Sequence, residues 1–137
     1  MAKRSTKKTV YPTCALLVPC DAVFVDPNSN KPNLFGLFDK LTPQSLPASV
    51  QFSLFTKLVG GNGKFPLTIA LIDPSGKPVE GASLEIEQFE CKPKQIAKIG
   101  GMFRVELRTK GEYKLVVRSG STIIGESMPI PVELKAT

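Results

Sequence analysis

The residues of this chain that could do chemistry are few. There is no histidine, which removes a Ser-His-Asp triad, a Cys-His pair and any His-ligated metal site. A serine nucleophile would then depend on a lysine or a carboxylate as its base. Three aspartates, Asp21, Asp26 and Asp39, fall close together in sequence, and a pair of carboxylates is what acid–base work on a glycoside needs. Each also has a structural use. Asp26 precedes Pro27 in a turn, Asp39 follows a short apolar run, and Asp21 interrupts a long one. A lone acid in such a run sits on an exposed edge, or is buried and paired. Asp26, Asn28 and Asn30 imitate the first half of a calcium loop. Lys31 then stands where that loop needs glycine, and Leu37 where it needs glutamate. Gly60-Gly61-Asn62-Gly63-Lys64 lacks the spacing of a phosphate-binding loop and reads as a hairpin turn. The expectation is a chain with no catalytic residue, no metal site and no cofactor.

Charge singles out the N-terminus. Lys3, Arg4, Lys7 and Lys8 stand there without an acid, while the other residues hold 14 basic and 12 acidic side chains. The body is therefore close to neutral. Residues 1–10 read as a flexible basic tail, and residues 11–137 as one domain. The tail could contact phosphate, on nucleic acid above all. The basic start followed by Cys14 to Val18 imitates a secretion signal, but Pro12 and Pro19 break it. No run reaches the ~18 apolar residues of a membrane helix, so no membrane partner and a cytoplasmic location are expected. The cysteines Cys14, Cys20 and Cys91 are odd in number and form no C-x-x-C pair. They read as reduced thiols, with Cys14 and Cys20 on one face of a strand and too far apart to bridge.

Alternation with period two positions everything else. It runs through Val50 to Leu58, Phe65 to Leu71, Ser83 to Glu87, Phe103 to Thr109, Tyr113 to Arg118 and Ile130 to Leu134. Cys14 to Val25 is apolar on both faces and predicts a strand covered on one side by a partner sheet and on the other by a loop or another chain. Leu34 to Phe38 is a short run in which Gly36 suggests a bulge or a close backbone approach. Gln95 to Ile99 is long enough only for a turn of helix. Asp26 to Asn30, Gly60 to Gly63, Asp73 to Gly76 and Ser119 to Ser121 are turns. About eight short strands at this spacing predict an all-β, antiparallel sandwich. Tyr113, opening its strand, is placed to hydrogen-bond upstream backbone as the corner tyrosine of immunoglobulin-like domains does. Phe55 and Phe89 lie on the polar side of their strands and mark, with Asp21, a candidate partner surface.

With the strands placed, the pattern Cys20 to Asp26, the turn Lys31-Pro32-Asn33, Leu34 to Asp39, Asp73-Pro74-Ser75-Gly76 and Gly111-Glu112-Tyr113 resembles a small uncharacterised bacterial family of immunoglobulin-like β-sandwich proteins, a domain of unknown function. The resemblance spans roughly Ala15 to Leu134 and is sharpest in the first hairpin. It implies a Greek-key sandwich and carries no catalytic residue across. The function expected first is a non-catalytic protein-interaction or assembly module, binding itself or another protein. A nucleic-acid accessory role through the tail comes second, and a sugar- or small-ligand-binding module or hydrolase third.

Overall fold

The computed structural model describes residues 9–135. Within them the chain forms nine strands and no helix: β1 (Thr13–Val25), β2 (Pro32–Leu37), β3 (Ala48–Val59), β4 (Gly63–Ile72), β5 (Pro78–Cys91), β6 (Ile96–Leu107), β7 (Gly111–Ser119), β8 (Thr122–Glu126) and β9 (Ile130–Val132). They make two antiparallel sheets. The first has the order β2-β1-β3-β6; the second has the order β5-β4-β7-β8, with β9 also paired to β7.

The alternating residues build the core between the sheets. Phe52, Leu54 and Leu58 of β3 and Phe103, Val105 and Leu107 of β6 face Leu67, Ile69 and Leu71 of β4 and Leu115 and Val117 of β7. Phe52 meets Phe38 and Phe103 edge to face, at 5.8 Å between ring centres in both cases. The turns form where proline and glycine asked for them. At Asp73-Pro74-Ser75-Gly76 the Gly76 N–H donates to the Asp73 carbonyl at 2.9 Å. The Asp73 carboxylate also accepts from the N–H groups of Ser75 and Lys77. Tyr113 opens β7 as expected, and its hydroxyl donates to the Thr109 carbonyl at 2.7 Å.

Two segments differ from expectation. Gln95 to Ile99 forms no helical turn and enters β6, pairing with the end of β3 from Val59 ↔ Ile96 onward. Thr122 to Glu126 is an additional strand, β8. It stops at Ser127, whose hydroxyl accepts the Leu115 N–H at 2.9 Å and donates to the Met128 carbonyl. That side chain stands in for a main-chain carbonyl, and the strand resumes as β9 after Met128 and Pro129 step outward.

The cysteines are all free, but Cys14 and Cys20 do not share a face. A bulge between Cys14 and Leu16 shifts the register against β3, and each such shift reverses which residues face the core. Cys14 packs against the core. Cys20, opposite Ser53, lies on the outer side of the sheet and is nevertheless buried.

Candidate functional site

What buries the outer side of the first sheet is the second half of β1. From Thr13 to Cys20, β1 pairs with β3; from Cys20 to Val25 it pairs with β2. Past Cys20 the β1–β2 hairpin leaves the ladder and folds across the outer face as an arm. The Ser53 hydroxyl reaches the Asp21 carbonyl at 3.5 Å. The Val23 Cγ1 comes within 3.6 Å of where a Cβ on Gly100 would stand. Beneath the arm a cavity of about 260 Å³ is bounded by Val23, Val25 and Pro32 above and Phe55, Lys98 and Gly100 below. Phe55, which pairs across to Gly100, is 3% exposed as a result.

The arm's geometry depends on Asp21 and Gly36. Gly36 has φ +65°, and the Asp21 carboxylate occupies the space a side chain there would need. At its tip, Asp26 accepts the Asn28 N–H at 3.0 Å and the Ser29 hydroxyl at 3.0 Å. These bonds, that of the Asn28 amide first, hold the Asp26 carboxyl below its usual range. Burial pushes the Cys20 thiol up, and the neighbouring Asp21 charge adds to it.

With Val23 and Leu34 turned toward the sheet, the alternate positions face outward. Ala22 pairs with Phe35, and Phe24 with Asn33. Phe24, Phe35 and Leu37 are 53, 54 and 62% exposed. Leu37 continues into an apolar groove of about 370 Å³, whose walls include Leu17 and Pro19 of β1 and Met128 and Pro129 from the step between β8 and β9. Met128 is 82% exposed. Asp39 is the only carboxylate on the groove's wall. Leu37 thus joins the groove holding Met128 to the exposed apolar side chains of the arm, Phe24 and Phe35.

Several sequence-based expectations are corrected by this geometry. Phe55 is on the outer face but is sealed by the arm. Phe89 is no patch residue either: a bulge in the β4–β5 ladder between Phe65 and Leu67 turns it toward the core, where it meets Phe65 at 5.9 Å. Asp21 is exposed, as an edge residue would be, and it braces Gly36. The three aspartates are not brought together: Asp26 is at the arm's tip, Asp21 near its base and Asp39 at the groove. Among the described residues, no group of three or more His, Cys, Asp or Glu is placed to hold a metal ion. They contain no helix long and apolar enough to cross a membrane. Lys3, Arg4, Lys7 and Lys8 lie outside the described residues. Sequence reasoning missed Phe24, Phe35, Leu37 and Met128. For Phe24 the signal was the absence of charge from Ala22 to Val25, and for Phe35 and Leu37 its absence from Pro32 to Phe38; nothing local marked Met128.

Across residues 15–133 the chain matches the model of a family of unknown function, DUF6941, and it belongs to that family. The match begins within β1 and includes the whole arm. No curated protein matches the chain.

Proposed function

We propose that this protein is a non-catalytic interaction or assembly module that binds another protein chain through the outer face of the β1–β2 arm and the adjoining groove. The carrying observation is the set of large apolar side chains left exposed on the arm and at the groove, Phe24, Phe35, Leu37 and Met128. Large uninterrupted apolar patches on soluble domains commonly serve as contact sites. The arm supports this reading in a second way. The strands apart from β2 already make two facing sheets with a packed core; β2 contributes to neither the core nor the inner faces. It holds an apolar face out to solvent.

We read the scaffold as immunoglobulin-like. With β2 set aside, the order β1-β3-β6 facing β5-β4-β7-β8 corresponds to strands A-B-E facing C′-C-F-G. Tyr113, at the start of the strand in the F position, makes the corner hydrogen bond. A bacterial cytoplasmic setting is part of the proposal, supported by three unpaired cysteines, two of them buried.

The test is affinity capture with three baits: the full chain, the full chain carrying Phe24→Ser, Phe35→Ser and Leu37→Ser, and a chain lacking residues 1–8. A protein held by the first and third baits and lost from the second supports the arm as the binding surface. Nucleic acid or protein lost only with residues 1–8 moves the function to the basic tail and overturns the proposal.

A further inference from the structure

We infer that the occupant of the arm's apolar face is a second copy of this chain, the two arms packing face to face about a two-fold axis that passes beside Phe35. This rests on the reading of the arm as a binding surface and adds the identity of what binds.

Three observations lead to self-association. The first is area. Phe24, Phe35, Leu37 and Met128, at the exposures given above and roughly 200 Å² for a large apolar side chain, offer about 500 Å² per copy. Two copies could therefore bury roughly 1,000 Å² of these side chains alone. Ala22, Asn33 and Pro129 at the margin bring the total past the ~1,000 Å² that a specific interface needs.

The second is charge. The outward residues from Ala22 to Leu37 carry none. The tip holds one charge of either sign, Asp26 with Lys31, and the base holds Asp21 and Asp39 against Lys40. A face without charge, flanked by ends that differ by a single charge, gives no preference for a strongly acidic or basic partner and little repulsion against its own copy.

The third is the state of the sheet edges. Exposed edge strands are ordinarily guarded by charge. β5 presents Glu80, Glu85, Glu87 and Glu90, and β6 presents Lys98, Arg104 and Glu106. At β8, Gly125 is pressed against Cys14 of β1. Among the described residues, β2, from Pro32 to Leu37, has no charged residue and no strand on its outer side, whereas β9, also uncharged, is hydrogen-bonded on its free side by Leu41. An isologous contact requires one patch that complements itself, and the middle of this patch is Phe35, between Phe24 and Leu37.

The experiment is sedimentation equilibrium of the full chain over a wide concentration range, alone and as Phe35→Lys and Phe35→Glu variants, with thermal melting to establish that each variant is folded. The inference expects a reversible dimer for the wild type. It expects association weakened at least tenfold, toward monomer, for each variant alone, and dimer restored when the two variants are mixed, because a residue beside a two-fold axis faces its own counterpart. A wild-type chain monomeric throughout overturns the inference. So does a dimer indifferent to position 35, or variants that stay monomeric on mixing. The proposed function fails separately: a monomer that still captures a protein through the arm removes the second copy and keeps the binding surface, whereas a monomer whose captured protein is held equally by the triple variant removes both.

Discussion

Val23 and Gly100 belong to strands that do not pair, yet the Val23 Cγ1 lies 3.6 Å from the point where a Cβ on Gly100 would be. Through this contact the arm rests on the sheet, with Phe55 sealed beside it. A methyl at position 100 would make an ordinary van der Waals contact, whereas a longer side chain would enter the space Val23 holds. Gly100→Leu should therefore lift the arm and expose Phe55, while Gly100→Ala should not. Hydrogen exchange is the check: faster exchange confined to residues 21–37 in the leucine variant, with β4 and β7 unchanged, is the expected result.

Gly36 and Asp21 control the arm from its other side. Gly36 needs a positive φ and the absence of a side chain, since the Asp21 carboxylate fills that space. Gly36→Ala should destabilise the protein by roughly 1–3 kcal/mol, the range for a side chain forced into a strained backbone conformation and a filled space. Asp21→Ala should cost much less. In the double variant part of the loss should return, because the collision is relieved and the strained φ remains. Chemical denaturation of the three variants measures this.

Tyr113 ties β7 to the turn before it through its bond to the Thr109 carbonyl. Tyr113→Phe keeps the buried ring and removes the donor, and about 1–2 kcal/mol of stability should go with it. An unchanged denaturation midpoint would show that the corner bond contributes nothing.

Asp26 and Asp73 both have carboxyls held below their ordinary range: Asp26 by the Asn28 amide and then the Ser29 hydroxyl, Asp73 by the Ser75 hydroxyl and then the Lys77 amide. A lowered folded-state value means the unfolded chain takes up the proton first. The stability these groups contribute is present above the ordinary aspartate value of about 4 and is lost as pH falls through the lower folded values. The melting temperature of the wild type should drop as pH falls from about 5 toward 3. Replacing both residues by asparagine should make that drop shallower. A profile identical in the variant would contradict the assignment.

The sequence made the two sheets legible because their strands alternate cleanly around one core. Its failures are local interruptions of that alternation or contacts far apart in the chain. Phe89 was misplaced because the β4–β5 bulge reverses parity, and nothing in Glu87-Gln88-Phe89 announces an extra residue. Cys14 and Cys20 were put on one face for the same reason, a bulge between Cys14 and Leu16. β8 was missed because Thr122-Ile123-Ile124-Gly125-Glu126 is short and holds a glycine, which it needs where Cys14 presses against it. Phe55 was rightly seen to point away from the core. Its cover comes from Val23, over thirty positions away, and periodicity cannot report such a contact. The apolar character of β1 on both sides of Asp21 did have two causes. Leu17 and Pro19 are buried by the fold, and Phe24 faces outward on the arm.

The arm's outer face as the binding surface is tested most directly by site-specific photo-crosslinking. A benzophenone side chain is placed at Phe35 in one full-length protein and at Ile123, equally exposed on β8, in another. Both are illuminated in cells producing the protein. Discrete protein adducts at position 35 and none at position 123 are the predicted result. Adducts equally frequent at both positions, or confined to 123, would contradict it.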